Sequence, residues 1–374
     1  MKKVIIFYGP VSQKHLIDSI IDHCSDDNLI IDAFCTGDYS FNSSSKNQTL
    51  PRLYKIISKF LNVRVLGRLI DTIFLTPLLK QLSKTYDIID ITFFTNKYYR
   101  FLDYLISIGK KYKATIWGSD FYRMTNSDLI KKGYYLNNAK LIQVETELVK
   151  RDVLKKYPSL ENKIEVCNYG IDLFDNIDKL RNCKTNQLGI KTDGYVVLTC
   201  GYNGSKGQQH IKLFEIIKSL PNDIKRKLFL FIPMTYGLPN SEYLEEVKLC
   251  AYNTDIPYHV FTERLNEDEL AELRMRSDVV VNIQITDAFS SSLIEHIYAG
   301  SILIAGEWLP YSILLDAGIH YHSASIANLG DVLKSVINNN VRERITLKQN
   351  IEKARLLSSW QYKTVQLKTI FEDI

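Results

Sequence analysis

The chain of 374 residues is 45% hydrophobic and 24% charged, which excludes a disordered or fibrous protein and leaves room for two domains with separate cores. Its net charge of +5 lies wholly in the amino-terminal part: residues 1–175 hold 25 Lys and Arg against 19 Asp and Glu, while the remainder hold 22 against 23. Six cysteines scattered singly exclude a disulfide scaffold and a paired-cysteine zinc site, so a reducing cytoplasm is the expected compartment.

In chain order, the apolar run Val4 to Tyr8 is stopped by Gly9 and Pro10 where a signal sequence would continue, and it predicts a first buried strand. Further β-branched and aromatic runs follow at Ile30 to Cys35, Ile88 to Phe94, Ala114 to Trp117, Leu141 to Val144 and Ile164 to Cys167. Between the second and third lie a serine-rich piece, Ser40 to Ser45 with Asn47, which predicts a mobile loop, and the segment Leu50 to Leu82. In that segment Leu53, Ile56, Ile57, Phe60 and Leu61 recur at helical spacing among Arg52, Lys55, Lys59, Arg64 and Arg68. Such a basic amphipathic stretch either lies on an anionic membrane surface or packs on the first sheet. Arg68, Asp71 and Lys80 interrupt it too often for a membrane span.

After a polar stretch the pattern restarts at Tyr195 to Cys200, Leu228 to Ile232, Tyr258 to Phe261, Val279 to Ile283, Ile302 to Ala305 and His320 to His322. Strands alternating with helical stretches predict an α/β protein with two doubly wound, Rossmann-like parallel sheets of six strands each. The expected division is a first domain over 1–175, a linker over 176–193, a second domain over 194–355, and a terminal helix over 356–374 docking back on the first. Ligands of such sheets bind beyond the carboxyl ends of the strands, in a cleft that the two domains face.

The most informative segment is Ile283 to Trp308. A strand leads into a helix opened by Ser290, Ser291 and Ser292, whose free N–H groups and positive dipole end suit a diphosphate. Asp287 in the loop and Glu295 within the helix place two carboxylates where they can accept hydrogen bonds from hydroxyls at two ends of one ligand. Gly201, Gly204 and Gly207 are spaced Gly-x-x-Gly-x-x-Gly, not as the dinucleotide fingerprint, which argues against a nicotinamide enzyme. Ser290 lacks a nucleophile elbow. His320 and His322 share a strand face without a nearby third ligand, no Asp-x-Asp pattern is present, and no metal or cofactor is expected.

The Asp287/Glu295 segment, with seven residues between the carboxylates and an Ala-Gly turn after them, resembles the donor-binding signature of retaining GT-B glycosyltransferases of family four. Asp287 stands where that family usually has Glu. Asn168 to Asp172 (NYGID) looks like the family's turn at the end of its first domain. Leu198 to Ile211 is similar to the strand, loop and Lys-Gly helix start that grips the donor diphosphate. The resemblance implies the GT-B fold, a nucleotide-sugar donor as substrate, a ribose contact for Glu295, a sugar-hydroxyl contact for Asp287 and a diphosphate contact for Lys206 beside Gly201. Arg264 is expected to supply the charge of the family's missing arginine. In the first domain Gly9, Trp117 and Asp120 are the expected acceptor or cleft residues, Trp117 standing where many relatives have histidine; Asp120 could equally cap the following helix.

A second, local resemblance links Phe231 to Val247 to the fucosamine transferases of enterobacterial common antigen synthesis, which invert the anomeric centre. Taken together, these resemblances imply a sugar transferase of bacterial surface polysaccharide synthesis, acting on a glycan or lipid-linked saccharide at the inner face of the plasma membrane, with no nucleic acid partner. A sugar-nucleotide epimerase of the same architecture and a non-catalytic nucleotide-sugar binder are the alternatives.

Overall fold

Runs of Val, Ile, Leu and Phe too apolar to leave one face wet become strands buried on both faces of parallel sheets. A computed structural model describes residues 1–9, 13–43, 71–181, 183, 186–287, 289–339 and 344–374. They divide into two units, Met1–Gly170 with Trp360–Ile374, and Ile171–Ser359.

The first unit is built on β1 (Lys2–Tyr8), β2 (Leu29–Cys35), β3 (Phe41–Ser43), β4 (Ile88–Thr92), β5 (Tyr112–Ile116), β6 (Leu141–Val144) and β7 (Ile164–Val166), in the spatial order β3-β2-β1-β4-β5-β6-β7. All neighbours are parallel except β2 and β3. Of the piece expected to be a mobile loop, Phe41–Ser43 form the antiparallel edge strand β3, while Ser44, Ser45 and Asn47 lie outside the described residues. Ser43 Oγ donates to the buried Asp32 at 2.7 Å and Asn42 Nδ2 to Asp18 at 2.6 Å, so polar side chains find partners in the fold. The terminal helix begins at Trp360, not at 356, and belongs to this unit. Trp360 stacks on His23 with ring centroids 4.6 Å apart, and a Cβ at Gly170 would overlap its indole, so glycine is required where the chain passes it. Leu367, Ile370 and Phe371 complete the same core.

Most of the basic amphipathic segment, including Leu53 to Arg68, lies outside the described residues. Its described end is helix Thr76–Ser83, where Leu78 and Leu79 are fully buried in the core and not offered to a membrane. Among the described residues no helix is long and apolar enough to cross a bilayer.

The second unit carries β8 (Val196–Cys200), β9 (Leu228–Pro233), β10 (Tyr258–Phe261), β11 (Val279–Asn282), β12 (Ile302–Gly306) and β13 (His322–Ala324), all parallel in the order β10-β9-β8-β11-β12-β13. The expected linker is corrected as well, because helix Leu173–Arg181 occupies its start and the units divide at Gly170. Leu173, Phe174, Ile177 and Leu180 bury one face of that helix. Phe174 stacks on Tyr298 with centroids 3.8 Å apart, and Asn176 Nδ2 donates to Asp268 at 2.9 Å. Strand order reverses between β1 and β4 in one sheet and between β8 and β11 in the other. These reversals are where an open α/β sheet leaves a crevice for ligand.

Candidate nucleotide-sugar site

At the reversal in the second sheet, β8 runs into Gly201, whose φ of +67° lies in the left-handed region that favours glycine. A Cβ there would lie 2.6 Å from Gln208 Oε1, an oxygen that accepts the Tyr202 backbone N–H at 3.2 Å. Gln208 Nε2 donates to Gln284 Oε1 at 2.9 Å, and Ile285 N–H donates to the Gly207 carbonyl at 2.9 Å, so the loops after β8 and β11 are laced together. Lys206 opens the short turn Lys206–Gln208 and is exposed, its ammonium held 5.5 Å from the Tyr243 ring centroid.

From β11 the chain passes Asp287 and enters helix Ser291–Ala299 at Ser290. The Ser290 side chain makes no capping hydrogen bond, and the Ser292 hydroxyl is buried without a partner among the described residues; Ser291 is exposed. The first turn therefore keeps donors in hand. Asp287 is held by two phenols: Tyr202 donates to Oδ1 at 3.4 Å and Tyr311 to Oδ2. Burial first, then the Asp287 charge, pushes the Tyr311 hydroxyl far above its ordinary range, so it stays a donor.

Glu295 Oε2 accepts the Arg274 Nε–H at 3.0 Å, with 12% and 6% of the two side chains exposed. Arg274 Nη1 lies 3.0 Å from His296 Nε2. Burial, reinforced by the guanidinium charge, drives the His296 pKa well down. A neutral ring must accept at Nε2 from a group that can only donate, which puts its proton on Nδ1, 3.3 Å from Ser301 Oγ. The hydroxyl passes the chain on to the Ser277 carbonyl at 2.7 Å. Glu295 is thus oriented by a buried polar relay that sequence reading missed, because an arginine in the charged run EDELAELRMR looks like one more solvated residue.

Tyr236, from the Phe231 to Val247 segment, was missed too. Its carbonyl accepts the Gly204 N–H at 2.7 Å, and its ring is 58% exposed within electrostatic reach of Arg274, Glu295 and Asp287. Arg264 is exposed three residues beyond β10, an edge strand separated from β8 by β9.

In the first unit Gly9, Trp117 and Asp120 sit at the carboxyl ends of β1 and β5. A Cβ at Gly9 would meet nothing closer than Phe93 at 3.8 Å, so packing does not demand glycine there. Of the two roles expected for Asp120, its bonds are those of a residue that satisfies backbone N–H groups. It is 5% exposed; Oδ1 accepts the Trp117 N–H at 2.8 Å and Oδ2 the Phe94 N–H at 3.0 Å, with Lys132 Nζ 3.5 Å away. Both of its oxygens are spent on the protein.

No family model and no curated protein matches this sequence. Solved structures do. Anabaena HepE in complex with UDP superposes with a TM-score of 0.70 at 14% identity, covering 100% of both chains. A glycosyltransferase from Rickettsia africae gives 0.70 at 15% identity over 100% of this chain and 98% of its own. Sucrose-phosphate synthase from Thermosynechococcus elongatus gives 0.68 at 12%, again over 100% and 98%. The fold is GT-B. This likeness runs the full length of the chain, so both Rossmann-like units belong to it.

Proposed function

We propose that this protein is a glycosyltransferase that takes a sugar from a nucleotide-sugar donor bound by its second unit. The observation that carries the reading is the cluster at the β8/β11 reversal: an uncapped helix start, a lysine in the facing turn, and a carboxylate held ready by an arginine. HepE, of the same fold, has been crystallised with UDP and with UDP-glucose, which supports a nucleotide sugar as the ligand.

In this reading the donor diphosphate meets Lys206 and the backbone N–H groups of Ser291 and Ser292, and Glu295 accepts the ribose hydroxyls. As the glycosidic bond breaks, its electron pair goes to the diphosphate oxygen, where the ammonium and the helix start stabilise the growing charge. No metal or cofactor is needed for that step. Asp287, shorter than the family's glutamate and shared by two tyrosines, orients the sugar through the Tyr202 and Tyr311 hydroxyls as well as directly. Retention is the stereochemical outcome we favour, from the carboxylate-pair resemblance; the acceptor is a glycan or lipid-linked saccharide of surface polysaccharide synthesis, reached at the cytoplasmic membrane face.

Release of nucleoside diphosphate from a nucleotide sugar, dependent on added saccharide acceptor, tests the activity. Conversion of the donor to its epimer without acceptor would replace the transferase by an epimerase. Proton coupling constants at the new anomeric centre test retention, and an inverted product would favour the fucosamine-transferase likeness. Sedimentation with anionic and with neutral vesicles, repeated after replacing Lys55, Lys59 and Arg64 by Glu, tests membrane contact. Equal binding by the triple variant would overturn it.

A further inference from the structure

The carboxyl ends of β5, β6 and β7 leave the first sheet side by side. Ile116 pairs with Val144 and Val144 with Val166, so the residues that follow, Trp117, Glu145 and the turn carrying Tyr169, emerge next to one another. Asp120 fixes the Trp117 backbone from below, and Gly118, at φ +94°, turns the chain away immediately after it. The Trp117 indole stacks on Tyr169 with centroids 5.2 Å apart and planes 15° from parallel.

Two polar groups in this cluster are unspent. The Trp117 Nε1–H is buried without a partner among the described residues, and a buried donor left unpaired in a folded protein calls for an explanation. Glu145 is partly buried and makes no hydrogen bond or ion pair among the described residues. Burial, and then the Asp120 carboxylate, push its carboxyl up to about 8. The charged and titratable groups facing it are Asp120 and Tyr169, neither of which neutralises it. Lys132, the nearest cation to Asp120, is committed to that carboxylate and to the Phe94 and Asp120 carbonyls.

The chemistry of the pair selects the ligand. An anion would meet two carboxyl groups, and an ammonium would satisfy Glu145 but leave the indole N–H with nothing to bond. A neutral polyhydroxylated ligand satisfies both, since one hydroxyl donates to a carboxylate and another oxygen accepts from an indole.

We propose that Trp117, Glu145 and Tyr169 form a saccharide subsite, in which Glu145 accepts a hydrogen bond from a sugar hydroxyl and the Trp117 indole donates to a sugar oxygen. Identifying that saccharide with the acceptor rests on the transferase reading; the binding itself does not. Because an ionised carboxylate is the stronger acceptor, affinity rises with pH through the titration of Glu145.

The test titrates the full chain with methyl glucoside and with the methyl glycoside of N-acetylglucosamine, reading tryptophan fluorescence and saturation-transfer NMR between pH 6.5 and 9. Wild type is expected to bind at least one of them, several-fold more tightly at pH 9 than at pH 6.5. Glu145→Gln is expected to bind about tenfold more weakly at pH 9 and without the pH dependence, whereas Trp117→Phe weakens binding and keeps it. Near-ultraviolet circular dichroism establishes that each variant is folded. Absence of saccharide binding by wild type at pH 9, or an unchanged affinity and pH profile in Glu145→Gln, overturns the proposal. Thermal shift with UDP-glucose and other nucleotide sugars on the same preparations keeps the two readings apart. Donor binding without saccharide binding removes this subsite alone, and saccharide binding without any donor binding removes the transferase reading alone.

Discussion

Replacing Glu295 by glutamine separates what its charge does for ligand from what it does for the fold. The carboxylate takes the Arg274 Nε–H at 3.0 Å in a setting where the two side chains are 12% and 6% exposed, and Arg274 continues to the fully buried His296. Glu295→Ala strands the guanidinium, at a cost on the order of 3 to 5 kcal/mol of stability. Lost donor binding in that variant would then report a collapsed site as readily as a missing contact. Glutamine keeps the volume and an oxygen for the Nε–H, so the expected loss of stability is about 1 to 1.5 kcal/mol. A neutral acceptor in place of an ionised one, facing ribose hydroxyls, weakens donor binding by about 1.5 kcal/mol, or roughly tenfold. Calorimetric titration with the best nucleotide sugar, beside urea unfolding curves, measures both. Wild-type affinity in a folded Glu295→Gln would refute the ribose contact and leave Glu295 as the counter-ion of Arg274 only.

Lys206→Ala removes an exposed charge that stands over Tyr243, so it should weaken binding of nucleoside diphosphates by about 1.5 to 3 kcal/mol and of the matching nucleosides hardly at all; equal losses would make the lysine structural. Gly201→Ala combines a φ of +67° with a Cβ 2.6 Å from Gln208 Oε1, and is expected to cost about 1 to 3 kcal/mol of stability while dislodging the Tyr202 contact. A wild-type unfolding midpoint would show that the loop re-forms freely. Glu145, held up at about 8 against its ordinary 4.5, favours the protonated folded state. Relative to Glu145→Gln, wild type should therefore lose on the order of 4 to 5 kcal/mol as pH rises from about 4.5 through 8. Parallel stability curves for the two proteins over that range would contradict the raised value.

Most strands were legible because each is a short β-branched or aromatic run between turn signals, and Gly201 and Gly300 mark their loops and helix ends without help from the fold. The last was misplaced, since β13 is His322–Ala324 and His320 lies before it, not on a shared strand face with His322. Edge strand β3 was not, since Phe41–Ser43 carries only one apolar residue and is held by Asp18 and Asp32, which are distant in sequence. Helix Leu173–Arg181 was hidden by the polar residues around it, though Leu173, Phe174, Ile177 and Leu180 already fall at helical spacing. Buried charge is the hardest thing to see. Asp90 and Lys113 sit opposite each other on β4 and β5 as a 2.6 Å ion pair inside the sheet, and nothing local tells such residues from solvated ones. The same blindness concealed Arg274 and Glu145 and left Asp120 open between a helix cap and a ligand contact. Lys206, Asp287 and Glu295 could be named as candidates from the motif resemblance, but the partners that hold the two carboxylates, Tyr202 and Tyr311 for Asp287 and Arg274 for Glu295, could not.

A thermal-shift panel of nucleotide sugars and their free nucleosides, run on wild type and Lys206→Ala, decides whether the second unit binds a nucleotide-sugar donor through its diphosphate. At a hundred times its dissociation constant a bound donor stabilises the native state by about 2.7 kcal/mol, which is roughly 5 to 10 °C for a unit of this size. Such a shift is expected with at least one nucleotide sugar, a smaller one with its nucleoside, and loss of the difference in Lys206→Ala. A panel in which no nucleotide sugar moves the wild-type midpoint would contradict it.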